Sequence, residues 1–502
     1  MKKINNYLKN KCIVFFMLFV VSLIILLVCS KNSPLYSFND WVDAHAFFTM
    51  GKGIFNGKIP YKDLFEQKGP LLYLIYGIGY LISHDTFIGI FILECVSYTI
   101  FSYFLYLISK NYLENINSLL ITVLVLSLIA GSVAFVQGGS AEEFCLPFFS
   151  ASMYYFIKMV NTSRFNKNEI FINGILAGCI SLIKFNLLGF WFIWMAMYFF
   201  RLLFLKRIKE ALVSCIIFLL GMGLPIIISI IYFSFNNALN DYIDTYITFN
   251  LTAYSTQISF KSRIMNMFSS LFQQLSVNKL IKVLIVVGFF SLFTNRIISQ
   301  IWVRLFVILS FLFLMMGIYM GGLPFIYYFL CFEFYTLFGL IAIAYILEKY
   351  SSIKIIRTIF IAVVLTVSSY YVYQSPNKSE MKVSKEHYAQ YVFKNIIEQS
   401  ENTTLLNYDN LDGGFYTTCN IVPNIKYFMR QNVDYNRYPQ IIDGQNEAIE
   451  NKKVEFVVIR EYFANKGYRK TLNSLNKNYY LVKEFKQKYE GMDFTYYLYQ
   501  LR

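Results

Sequence analysis

The feature that most constrains this chain is its succession of long apolar runs separated by short basic segments. The runs fall at 12–30, 86–109, 116–136, 144–160, 170–184, 187–205, 211–234, 279–294, 301–320, 323–347 and 354–373. A bilayer core about 30 Å thick asks for roughly 20 apolar residues per helical crossing. Within it every backbone N–H and C=O must be satisfied by the segment itself, which leaves helices as the spanning form for runs of this kind. The expectation is an all-α polytopic membrane bundle of about 11 transmembrane helices. The first run, Cys12 to Ser30, follows Lys2, Lys3, Lys9 and Lys11; it is too long for a typical signal h-region and lacks a small-x-small cleavage site, so it reads as a retained span.

A further apolar piece, Pro70 to Ser83, is only about 14 residues long, nearer an interfacial or re-entrant helix. If it does not cross, the segments with Lys110, Arg164 and Lys167, Arg201 to Lys209, Arg296 and Arg304, and Lys349 to Arg357 all fall inside, as the positive-inside bias demands. The N-terminus is then cytoplasmic. Residues 31–85, 137–143 and 235–278 and the tail from about 374 are external. The division expected is a membrane domain over 1–373 and an extracytoplasmic domain over 374–502. The tail turns to Lys, Asn, Glu and Tyr, with strand-like runs at Thr404–Tyr408, Val454–Ile459, Tyr479–Lys483 and Phe494–Tyr499 and a helical pattern over Lys385–Ile397, which together read as a small C-terminal α/β domain.

The formal charge of +15 comes from lysines and arginines of which many lie in short loops beside apolar runs; they set orientation, and nucleic acid is not an expected partner. Seven of the eight cysteines lie in or beside apolar runs and only Cys419 lies in the tail, so no disulfide framework or CxxC metal knuckle is available. No GxxxxGK[ST] or GxGxxG stands at a strand-to-helix junction to cradle a nucleotide. Chemistry at the outer face must therefore use a pre-activated donor delivered through the membrane.

The first external loop, NDWVDAHAFFTMGKGIFNGKIPYKDLFEQKGPLLYLI, holds the residues of interest. As a helix at about 100° per residue, Asp43 shares a side with Phe47, Met50 and Ile54, while His45, Thr49, Lys52 and Asn56 gather opposite. Asp40 or Asp43 could serve as a helix N-cap. A helix already running from Trp41 would instead leave Asp43 inside it on the apolar side, where partial desolvation can tune a carboxylate into a general base.

An acid, an aromatic-rich helix, G-x-x-P-Y-x-D at Gly57–Asp63 and K-G-P-L-L-Y at Lys68–Tyr73 form an ordered set. It resembles the first external loop of GT-C integral-membrane glycosyltransferases, the protein O-mannosyltransferase and aminoarabinose transferase group. In many of those the acid opens an Asp-Glu pair; here Ala44 follows Asp43. GGSAEEF, Gly138–Phe144, places Glu142 and Glu143 where that family carries a second acidic motif, although an acidic first turn also suits a helix dipole. GILAGCISLIKFNLL, Gly174–Leu188, is similar to the family's G-x-x-x-G-x-x-x-L-x-K segment and ends a short span on Lys184. A lysine at that depth either snorkels or needs a partner.

The resemblance implies a polyprenyl-phosphate-sugar donor, a cell-surface glycan acceptor such as a wall polysaccharide or teichoic-acid-like polymer, and a site in contact with membrane lipid. Asp43, with Asp40 beside it, would take the acceptor proton in an inverting transfer. Lys184 would meet the phosphate charge, with Lys62, Lys68 and Arg263 as further candidates. His45, His84 and His387 show no ligand spacing; a divalent cation on Asp43 with Glu142 or Glu143 is chemically allowed, since hard ions take oxygen ligands. Tyr327 and Tyr328 lie in the late aromatic stretch GGLPFIYYFLCFEFY, and Glu333 within it should face the bundle or a cavity. The competing classes are a flippase of lipid-linked sugars, against which stand the absence of an inverted repeat and the gathering of acids at one face, and a polymerase or ligase of lipid-linked glycans, which shares the outer-face chemistry.

Overall fold

The computed structural model describes residues 10–461 and 472–502, apart from 257, 322, 351–353, 490 and 491. Lys2, Lys3 and Lys9 of the basic N-terminal flank lie outside the described residues. The chain forms two compact units, one of residues 1–30, 93–229 and 256–379 and the other of residues 31–92, 230–255 and 380–502.

The first unit is helical. Among the described residues of the chain, seven helices are long and apolar enough to cross a membrane, or eight if Phe260–Val277 and Lys279–Leu292, bent by 116° at their junction, count as one span. Ile208–Phe235 shows the reason in its exposures: Leu212, Ile216, Leu219, Leu220 and Ile227 all stand more than half exposed, an apolar face that only lipid covers at low cost. The inward faces pair helix on helix, Gly189–Phe204 with Ile301–Tyr319, Lys279–Leu292 with Thr336–Glu348, and Asn115–Ala130 with Lys354–Tyr373. The chain is a multi-pass membrane protein.

The sequence count of eleven is not reproduced by length and composition. Asn115–Ala130 and Lys279–Leu292 are short, and Ala141–Thr162 is long enough but not apolar enough. The runs 170–184 and 187–205 are not two spans: Lys167–Lys184, a 3-10 turn over Phe185–Leu188 and Gly189–Phe204 run on as one 38-residue length. The tighter turn continues the direction of the helix where the sequence ended a span on Lys184.

In the second unit, the helices Val42–Phe55 and Pro70–Ile82 lie against each other. Pro70 opens the second at its first turn, where its missing N–H costs nothing. Two glycines set the approach. A Cβ on Gly51 would stand 2.4 Å from the Gly77 backbone nitrogen, and one on Gly77 2.8 Å from the Gly51 carbonyl oxygen. The tail contributes a four-stranded sheet of β1 (Leu405–Tyr408), β2 (Phe456–Glu461), β3 (Tyr479–Tyr489) and β4 (Met492–Leu501) in the order β1-β2-β4-β3. β1 and β2 are parallel and β3 and β4 form an antiparallel hairpin. Leu406, Val457, Ile459 and Tyr479 pack with Ile449 and Leu475, the latter two from the helices Gln440–Glu450 and Leu472–Asn478. All four strand-like runs of the tail are strands, and the helical pattern over Lys385–Ile397 becomes a 3-10 turn followed by the helix Ala389–Ile397. Ile243–Thr248 and Asn250–Tyr254 form two π-helical turns; Tyr246 of the first, with Tyr242 just before it, gathers with Phe233 around the buried Tyr61.

Candidate active site

The helix carrying Asp43 begins one residue later than a Trp41 start would place it. It spans Val42–Phe55, and its N-cap residue Trp41 makes no side-chain cap bond. Asp43 therefore occupies the first turn, half-buried, where the helix dipole favours an anion. Asp40 is not a cap. Its carboxylate takes the Lys31 ammonium at 2.7 Å, and Lys31, itself 4% exposed, also meets Glu380 at 2.7 Å. A carboxylate held this way is a member of a buried ion pair.

Three charged side chains of the second unit share the surroundings of one phenol. Burial raises the Tyr254 pKa, Lys68 draws it down, and Asp43 and Glu66 push it up, so Asp43, Lys68 and Glu66 all lie within electrostatic reach of that hydroxyl. Glu66 is buried, accepts the Lys68 backbone N–H at 2.8 Å and the Tyr73 hydroxyl, while Tyr61 donates to the Lys68 carbonyl at 2.7 Å. The Lys68 ammonium stands 5.7 Å from the Phe47 ring centre. The motif Gly57–Tyr73 thus folds into a small frame that fixes Lys68 beside the acid-bearing helix.

The opposite face of the same helix is polar and wholly buried. His45 meets Thr417 Oγ1 at 2.9 Å and the Asn39 carbonyl at 2.6 Å, Thr49 donates to Asp412 at 2.7 Å, and Lys52 donates to the Tyr416 carbonyl at 2.5 Å. Gly414 makes room for this, at φ +91°, where a Cβ would stand 2.7 Å from His45 Nε2. Burial pushes Lys52 down to about 7, partly offset by Asp412, and His45 down to about 3; it pushes Asp412 up to about 6.

In the first unit, Lys184 finds the partner its depth requires. Its ammonium contacts the Glu142 carboxylate, with side chains 10% and 1% exposed, and lies 3.5 Å from the ring centre of Tyr328 and 5.9 Å from that of Tyr327. The acidic pair is divided by role. Glu143 accepts the Gly139 N–H at 2.7 Å and its own N–H is capped by Ser140 at 3.0 Å, so it closes the N-terminus of Ala141–Thr162. One turn beyond Lys184, from Leu188 onward, an apolar cavity of about 590 Å³ opens between Gly189–Phe204 and Ile208–Phe235, lined by residues including Trp191, Phe192, Phe199, Phe218 and Met222.

Two further candidates are engaged elsewhere. Lys62 donates to the Asn236 carbonyl at 2.9 Å in the second unit. Arg263 ties the Met320 and Thr256 carbonyls together at 2.7 and 2.6 Å in the first. Glu333 is buried, as an intramembrane acid should be, with Asn278 Nδ2 at 3.4 Å. Among the described residues no grouping of three or more His, Cys, Asp or Glu could hold a metal ion. Sequence reasoning missed Glu66, Glu94, Lys31 and Asp412. Of these, Glu94 carried a signal, being an acid inside an apolar run; it is buried and takes the Ser30 hydroxyl at 2.9 and 3.1 Å.

Compared with solved structures, the chain superposes along nearly its whole length on a membrane protein, ArnT from Cupriavidus metallidurans bound to undecaprenyl phosphate. The match has a TM-score of 0.63 at 11% identity, covering 96% of this chain and 97% of that one. The chain has the ArnT fold. The apo state of ArnT gives a TM-score of 0.61 at 10% identity, with 97% and 98% covered. Neither a protein-family model nor a curated protein sequence matches the chain. The superposition covers 96% of this chain, so the shared fold takes in the α/β tail as well as the helices.

Proposed function

We propose that this chain is a membrane glycosyltransferase that moves a sugar from a polyprenyl-phosphate donor to a cell-surface glycan or wall polymer at the outer face. The observation that carries the reading is its full-length likeness to ArnT, whose structure holds undecaprenyl phosphate. Two local features support it: the buried Lys184–Glu142 pair, and the presence of Asp43 and Lys68 within electrostatic reach of Tyr254.

In this reading Asp43 accepts the proton of the acceptor hydroxyl as that oxygen attacks the anomeric carbon from the face opposite the phosphate, with inversion. The anomeric C–O bond breaks, its electron pair leaves on the phosphate oxygen, and the positive charge of Lys68 lowers the energy of that developing anion. Lys184, already paired with Glu142, is a separate candidate for phosphate recognition. The driving force is the phosphate ester bond of the donor, so no nucleotide site is required.

The test is transfer from a radiolabelled polyprenyl-phosphate sugar in membranes holding wild-type or Asp43→Asn protein at equal expression. Loss of a general base lowers turnover by about 10²–10⁴-fold. Wild-type turnover by the variant would remove Asp43 from the chemistry, and movement of labelled lipid across liposomes without its consumption would favour a flippase.

A further inference from the structure

The second unit contains a polar cavity of about 400 Å³ that the transfer chemistry does not use. Its walls come from residues 31–39, 85–88, 381–391 and 417–418. Its lining combines aromatic rings (Phe38, Phe87, Tyr391), amide and hydroxyl groups (Asn32, Ser37, Thr86, Thr417) and, at the rim, the exposed ammonium groups of Lys382 and Lys385. Rings that offer a flat apolar face beside amides and hydroxyls suit the alternating CH faces and hydroxyl edges of a sugar. Lysines are point charges fitted to phosphate or carboxylate. Lys31 lies between Asp40 and Glu380, and Asp85, the acid in the lining, shares Lys394 with Glu398, so these charges are engaged in ion pairs of their own. The exposed lysines of the lining are Lys382 and Lys385, with the ammonium of Lys385 5.0 Å from the Tyr391 ring centre.

The placement of this cavity relative to Asp43 decides its role. His45 lines it, two residues along the same helix, and two residues at about 100° each turn the chain through roughly 200°. Asp43 and the cavity therefore lie on opposite sides of one helix. The cavity cannot hold the sugar whose hydroxyl Asp43 would deprotonate; it can hold a distant part of the same polymer.

We propose that this cavity is an anchoring site for an anionic acceptor polymer, binding sugar or polyol-phosphate units remote from the one being modified. Its role as an acceptor subsite rests on the transfer reading, whereas its ligand chemistry does not. The site raises affinity for long acceptors and leaves the bond-forming step untouched.

The experiment uses the full-length protein in detergent, without donor, titrated calorimetrically with a long glycerol-phosphate oligomer and with a neutral maltooligosaccharide of matched length. The wild type is expected to bind the phosphate-bearing oligomer in preference to the neutral one. The double variant Lys382→Ser/Lys385→Ser, at exposed positions that leave the fold intact, is expected to bind it about tenfold more weakly. Thr86→Trp, which fills the cavity from its loop wall, is expected to abolish binding. In transfer assays the lysine variant raises KM for long acceptors about tenfold with kcat unchanged, and leaves KM for a short acceptor as in wild type. Equal binding of both oligomers, binding of neither, or wild-type affinity in both variants would overturn the proposal. A protein that binds the oligomer but transfers no sugar would sink the transfer reading alone, and one that transfers but does not bind would sink this one alone.

Discussion

The contact between Lys184 and Glu142 yields a prediction whose size can be worked out. Both groups are nearly out of solvent, so each charge depends on the other. Lys184→Met strands a buried carboxylate, and removing one partner of a buried pair costs about 3–5 kcal/mol. Glu142→Gln strands the ammonium instead, but the Tyr328 ring, 3.5 Å away, still faces it and recovers up to about 2 kcal/mol. A loss of about 2–3 kcal/mol follows. The double variant Lys184→Met/Glu142→Gln removes both charges and returns to within about 1 kcal/mol of wild type. Reversible unfolding in mixed micelles measures all four corners of the cycle. Losses that simply add in the double variant would refute the claim that these charges share a dry contact.

The remaining predictions concern the second unit. Lys52 is held near 7 against an ordinary 10.5, so between pH 7 and 10 the unfolded chain binds the extra proton and stability rises with pH. The slope is at most about 1.4 kcal/mol per pH unit, and it should vanish in Lys52→Met when melting is followed across that range; a slope kept by the variant assigns it to another group. Gly51→Ala sets a methyl against backbone atoms that cannot swing aside, costing about 1–3 kcal/mol. Melting by intrinsic fluorescence checks it, and an unchanged midpoint would show that the two helices are not held as described. Tyr254→Phe removes the hydroxyl that senses Asp43 and Lys68, and the pH at which transfer reaches half its maximum should move while the melting midpoint stays put. A pH profile identical to wild type would separate that phenol from the reaction.

Much of this was legible in the sequence because it is written locally. Strand alternation in the tail and apolar length in the membrane are properties of adjacent residues, and both survive in the structure. Asp43, Glu142, Lys68 and Lys184 were visible singly as charges in apolar surroundings. Their partners were not, because Lys184 and Glu142 lie 42 residues apart and no periodicity links them. The same blindness split one helix in two. Lys184 looks like the end of a span until Glu142 is known to pair with it, after which the helix can pass through. Local evidence offers Asp40 as a cap or as an acid beside Asp43, while its partner Lys31 and the Glu380 that shares this lysine come from the preceding turn and from the start of the tail.

The polar side of the Val42–Phe55 helix takes its partners from Asp412, Tyr416 and Thr417, more than 360 residues later in the chain. During synthesis this helix emerges early, carrying a histidine, a threonine and a lysine whose mates do not yet exist. For most of translation those groups must stay hydrated at the membrane surface, and they become dry only when the tail arrives. Maturation of this helix is thereby tied to completion of the polypeptide, so that a nascent or truncated chain presents an unsealed polar face.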